Sequence, residues 1–237
     1  MPELDGISYR VAGSGPALVV PQCNVDWSTV DLCPLERRRT VVTISPRGFM
    51  SSSRPDGYSL PGMVADVERV LDDLDIGDYA TFGYSMNGAM ASLLGVDNPR
   101  VRAVVCGGFP TTGPYDALAG RMATILQQTK RDPAVWAELV ATHAPDAVLA
   151  FYEGLGRLAP GALVDRLAGP VWSWWGSEDE RLEELGGIEL HRQGLADRGL
   201  PFEVLAGLDH SGALDRIDLA LPGALAWLET HCSSEDR

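Results

Sequence analysis

An α/β domain built on a doubly wound, mostly parallel sheet, interrupted once by a compact helical insert, is the fold class this sequence predicts. Three observations carry it. Short apolar runs rich in β-branched residues recur along the chain and alternate with stretches of helical spacing. Between about Thr111 and Leu167 the strand-like runs stop and only helical stretches remain. Ser85 stands where the run Tyr79-Ala80-Thr81-Phe82 gives way to the helix-favouring Ala89-Met90-Ala91-Ser92-Leu93-Leu94, with small residues close by.

The elements follow in order. Ile7 to Ala12 alternates as a strand should, and Gly13-Ser14-Gly15-Pro16 turns the chain. Ala17 to Val20 and Thr40 to Ile44 are continuous apolar runs, the pattern of strands covered on both faces. Met63 to Leu74 places apolar residues at helical spacing, the strand before Ser85 comes next, and Val101 to Cys106 makes another strand. Helices are predicted over Tyr115 to Thr129, Pro133 to His143 and Asp146 to Leu158, with Pro145 and Pro160-Gly161 as breaks. Val171 to Trp175 and Pro201 to Leu205 complete the sheet, and Leu219 to His231 closes the chain as an amphipathic helix. The expected division is a core of residues 1–110 and 168–237 around an insert of residues 111–167.

A chain of 237 residues suits one large α/β domain, and 45% hydrophobic with 22% charged residues is a globular balance. A net charge of −14 argues against nucleic acid or an anionic membrane as partner. No apolar run approaches the roughly 20 residues of a membrane span, and the acidic start Met1-Pro2-Glu3-Leu4-Asp5 is unlike a signal peptide. The cysteines at 23, 33, 106 and 232 are too dispersed for a zinc site or a disulfide framework. A cytoplasmic protein with reduced thiols is expected; the oligomeric state is left open, a homodimer among the readings.

Ser85 reads as the nucleophile of a strand–turn–helix elbow, which strains the central residue, lifts its oxygen clear of the sheet and sets it at a helix N-terminus. A serine hydroxyl needs a base, and the base an orienting acid. His143 and His191 fall in predicted helices, and His231 lies near a charged tail. His210 alone follows a core strand, in Ala206-Gly207-Leu208-Asp209-His210-Ser211-Gly212, so it is the expected base. For the acid, Asp179 in Trp175-Gly176-Ser177-Glu178-Asp179-Glu180 is preferred over Glu178. The chain order nucleophile, acid, base is the one this architecture uses. Cys23, a conceivable rival nucleophile, has no base placed for it.

These residues bring a family into view. From Ile7 to Leu228 the chain resembles the α/β-hydrolase superfamily. Ser45-Pro46-Arg47-Gly48-Phe49-Met50-Ser51-Ser52-Ser53 looks like its D-x-R-G-x-G-x-S loop, and Leu71 to Gly83 like its L-x-x-L-x-I-x-x-x-x-x-x-G stretch. The resemblance implies two backbone N–H donors for an oxyanion. Met86 supplies one, and the loop Pro21-Gln22-Cys23-Asn24 supplies the other: Asn24 if Gln22-Cys23 aligns with the family's His-Gly, Cys23 if the alignment shifts by one. Two departures stand out. The elbow pattern G-x-S-x-G carries Asn87 in its last position, with glycine one step late at Gly88, and the oxyanion loop lacks its glycine.

The insert falls where the family places its cap, and Met122, Leu126, Trp136, Phe151 and Tyr152 are candidate wall residues. Phe109, past a strand end, and Tyr84 and Cys23, beside the catalytic elements, complete the expected substrate-binding set. The resemblance implies acyl transfer to Ser85 from a small ester, thioester or lactone, with no metal and no organic cofactor. A non-hydrolytic or C–C bond reaction on the same scaffold is the alternative, and a non-catalytic ligand-binding protein the third reading.

Overall fold

The computed structural model describes residues 2–159, 161–185 and 187–232. Eight strands form one sheet: β1 Glu3–Leu4, β2 Ile7–Gly13, β3 Ala17–Pro21, β4 Thr40–Ser45, β5 Tyr79–Tyr84, β6 Val101–Gly107, β7 Val171–Gly176 and β8 Phe202–Leu205. Their spatial order is β1-β2-β4-β3-β5-β6-β7-β8. The pairs β1/β2 and β2/β4 are antiparallel and every later pair is parallel. The order reverses between β3 and β5, so a crevice opens there beyond the carboxyl ends of the strands.

The helices are α1 Cys33–Glu36, α2 Leu60–Asp73, α3 Met86–Leu94, α4 Leu118–Thr129, α5 Pro133–Thr142, α6 Pro145–Gly156, α7 Ala162–Asp165, α8 Glu180–Glu184, α9 Ile188–Ala196, α10 His210–Asp215 and α11 Ile217–His231. Helix α2 starts three residues before the apolar spacing suggests. Ser59 caps it by accepting from the Gly62 N–H at 3.2 Å, and Pro61 fits the first turn. Among the described residues four helices, α4 to α7, lie between β6 and β7; α4 to α6 fall on the three predicted stretches, and the single turn α7 was not predicted.

Strand alternation splits the core into two layers. Val19, Val42 and Ile44 pack with Met63, Val67, Val70 and Leu71 of α2 on one face. Leu18, Val20, Val41, Ala80 and Phe82 pack with Ala220, Leu221, Ala224 and Leu228 of α11 on the other. Both faces are covered, which is why these strands read as unbroken apolar runs. The loop after β4 is tied down by polar contacts: the Arg47 guanidinium and main-chain N–H both donate to Asp66 of α2, and Ser52 Oγ bridges the Ser45 carbonyl and the Ser8 N–H.

Candidate active site

The turn from β5 into α3 puts Ser85 at φ 58°, ψ −128°, a left-handed conformation that a serine adopts only where its surroundings impose it. Two glycines make the turn possible by close approach. A Cβ on Gly83 would lie 2.2 Å from the Asn87 carbonyl oxygen, and one on Gly88 would lie 2.8 Å from the Gly107 carbonyl oxygen. Gly88 is thus the glycine that lets α3 press against β6. The Ser85 N–H donates to the Gly107 carbonyl at 2.8 Å, tying the elbow to that strand.

Three side chains from three loops meet here. His210 Nε2 is 3.0 Å from Ser85 Oγ, and His210 Nδ1 is 3.0 and 2.9 Å from the two oxygens of Asp179. Asp179 is fully buried, and its Oδ1 also accepts the N–H groups of Arg181 and Leu182 at 3.0 Å each, capping α8. These donors fix the carboxylate in place facing the imidazole. His210 opens α10, whose N-cap is Asp209. Its carbonyl accepts from the Tyr84 hydroxyl at 2.6 Å, its N–H donates to Glu180 at 3.2 Å, and its ring lies against Tyr84. His210 is therefore fixed at both main-chain groups and at its ring. Glu178, the other acid considered, makes no contact with the imidazole among the described residues.

A cavity of about 310 Å³ opens on Ser85, lined by Asn24, Ser85, Met86, Gly108, Phe109 and His210 from the core, by Leu118, Arg121, Met122, Ile125 and Tyr152 from the insert, and by Arg181, Glu184 and Leu185. Burial pushes the Tyr152 phenol up to about 12, so it presents a neutral hydroxyl. Arg121 of α4 pairs with Glu184 of α8, joining insert to core at this wall. A larger surface cleft, about 690 Å³ around Gln22, Trp27 and Glu36, contains none of the three catalytic candidates. The smaller cavity is the one with chemistry in it.

Met86 begins α3 and lines the cavity, and the first N–H of a helix has no intrahelical partner, so it is an available donor there. The loop after β3 is arranged otherwise. The N–H groups of Cys23 and Asn24 both donate to the Asn87 side-chain oxygen, at 2.6 and 3.0 Å. Five residues expected around the substrate do not line this cavity. Cys23 is fully buried, and burial pushes its thiol far above the ordinary range, which removes it as a nucleophile. Tyr84 lies beneath His210, between that ring and Trp174. Phe151 is fully buried behind Tyr152, and Trp136 sits on α5 with Lys130 over its ring at 5.6 Å. Leu126 is buried in the core instead. Sequence reasoning missed Arg121, Arg181, Glu184 and Leu185; only Arg181, two residues past Asp179, carried any signal.

Comparison with known proteins bears on the fold. The family model described as the α/β hydrolase fold matches residues 16–132. No curated protein matches the chain. Among solved structures, E-2-(acetamidomethylene)succinate hydrolase superposes with a TM-score of 0.70 at 19% identity, covering 94% of this chain and 95% of that one. The enol-lactonase from Burkholderia xenovorans LB400 gives 0.69 at 18%, covering 94% and 96%. A thermophilic esterase from Thermogutta terrifontis gives 0.69 at 17%, covering 95% and 94%. With the architecture shared over nearly the whole of each chain, this protein has the α/β-hydrolase fold.

Proposed function

We propose that the protein is a serine hydrolase that cleaves a small ester, thioester or lactone through an acyl-enzyme on Ser85. The observation that carries this is the continuous relay from Ser85 Oγ through both nitrogens of His210 to the buried Asp179. Ser85 Oγ adds to the substrate carbonyl carbon while His210 Nε2 takes its proton. Asp179 holds the Nδ1–H tautomer and stabilises the imidazolium. The Met86 N–H, at the positive end of α3, stabilises the oxyanion. Collapse of the tetrahedral intermediate expels the leaving group, which takes the proton from His210; water then repeats the sequence and frees the acid.

The insert acts as a cap: Leu118, Met122 and Ile125 wall the cavity with apolar surface and Arg121 fastens it to the core. A cavity of about 310 Å³ suits a small molecule better than a polypeptide. The hydrolase, lactonase and esterase among the structural neighbours support the same reaction class, without naming the substrate of this chain. Acidic net charge and dispersed cysteines fit a cytoplasmic enzyme of small-molecule metabolism.

Hydrolysis of p-nitrophenyl acetate, butyrate and octanoate by the wild type and by Ser85→Ala tests the reading. Turnover that falls by several orders of magnitude in the variant is expected, with acetate and butyrate preferred to octanoate. Equal turnover by both proteins would overturn it.

A further inference from the structure

The elbow position that glycine fills in the family pattern is held here by Asn87, and its surroundings give it a task. The side chain is fully buried. Its oxygen accepts the N–H groups of Cys23 and Asn24, and its Nδ2 donates to the Val25 carbonyl at 3.4 Å. The remaining N–H of the segment, that of Gln22, donates to the Ile44 carbonyl at 2.8 Å. Every backbone donor of residues 22 to 24 is therefore engaged. The two that the family alignment could offer to an oxyanion are turned towards a buried group that does not line the cavity.

The side chain of Asn24 is placed differently. The residue is exposed and lines the cavity together with Ser85 and Met86, and its carboxamide has no hydrogen-bond partner among the described residues. A primary amide offers two N–H donors, and a neutral donor held on a clamped backbone is what a developing oxyanion requires. We propose that the Asn24 side-chain amide, rather than a backbone N–H of its loop, is the second oxyanion donor, and that Asn87 is the positioning residue that fixes the loop to present it. The inference rests on the acyl-transfer reading of Ser85. No bond forms to Asn24. As Ser85 Oγ adds, the carbonyl π pair moves onto oxygen, where Asn24 Nδ2 and the Met86 N–H donate to it, and the pair returns when the leaving group departs.

This joins the two departures of the sequence into one device. Loss of the loop glycine and gain of Asn87 are complementary, because the Asn87 oxygen satisfies backbone donors that would otherwise face the substrate. It also separates the chain from a backbone-donor arrangement in a measurable way. Truncating a side chain leaves a backbone N–H in place, so a backbone donor survives Asn24→Ala, whereas a side-chain donor does not.

The test is the second-order rate of Ser85 phosphonylation by a fluorophosphonate, a probe whose phosphoryl oxygen occupies the oxyanion position, alongside kcat and KM on p-nitrophenyl butyrate. Wild type, Ser85→Ala, Asn24→Ala, Asn87→Gly and the Asn24→Ala/Asn87→Gly pair are compared, with thermal unfolding to confirm that each folds. Asn24→Ala should lower the labelling rate and kcat by about 10²–10³ with little change in KM. In the Asn87→Gly background the same substitution should cost less than about tenfold, because the released N–H groups can turn to the oxyanion. A labelling rate within threefold of wild type for Asn24→Ala would overturn the side-chain donor. An equal Asn24→Ala penalty in both backgrounds would overturn the role of Asn87. Absence of Ser85 labelling in the wild type would instead sink the underlying acyl-transfer reading.

Discussion

Asp179 accepts three things at once: the imidazole and two main-chain N–H groups of α8. That shapes what an isosteric change would do. In Asp179→Asn the amide oxygen goes to the Arg181 and Leu182 N–H groups, which need an acceptor, leaving NH₂ to face His210 Nδ1. The imidazole is then forced to protonate at Nε2, where it cannot take the proton of Ser85. Turnover should drop by about 10⁴-fold while the fold persists, as steady-state kinetics beside thermal unfolding would reveal; retained turnover would remove Asp179 from the relay. The three catalytic candidates were legible from sequence because each follows a strand run in a loop, and topology sends such loops to one end of the sheet. Asn87 was legible only as an anomaly. Its partners Cys23 and Asn24 lie more than sixty positions away, so no local pattern encodes the contact.

At the scale of elements, the insert shows where sequence pattern stops. Its helices were predictable from apolar spacing and proline breaks, but the face each turns to the site was not. Leu118, Met122 and Ile125 share one side of α4 and reach the cavity, whereas on α6 a step of one residue, about 100° of rotation, separates the wall residue Tyr152 from the buried Phe151. Which side faces in is decided by packing between helices. The elbow is more constrained. Because a Cβ at position 88 would meet the backbone of β6 at 2.8 Å, Gly88→Ala must lever α3 outward and move Ser85 with it. Overpacking of this kind costs about 1–3 kcal/mol, and calorimetry should find a melting point lower by about 3–10 °C together with reduced p-nitrophenyl ester turnover. An unchanged melting point would mean α3 has room that the structure denies it.

Across the whole molecule, both faces of the parallel sheet are covered and the unbroken apolar runs announced it; the antiparallel edge formed by β1 and β2 was less visible, since a strand of two residues leaves no pattern. Stability should carry one legible acid dependence. His191 is buried against Trp175, its Nδ1 3.0 Å from Thr112 Oγ1 and its Nε2 without a partner among the described residues, and burial pushes it down to about 4. An unfolded histidine titrates near 6.5, so below that pH the unfolded chain binds a proton the folded chain refuses. The melting point should fall as pH drops from about 6.5 and this contribution should level off near 4, with a shallower slope in His191→Gln; equal slopes would show that His191 is not the group responsible.

The central claim is that His210 activates Ser85 for covalent attack. Intact mass and peptide mapping after treatment with a fluorophosphonate test it most directly. One adduct per chain is expected, located on Ser85, absent in Ser85→Ala and formed far more slowly in His210→Ala. No adduct, or an adduct formed equally fast without His210, would contradict it.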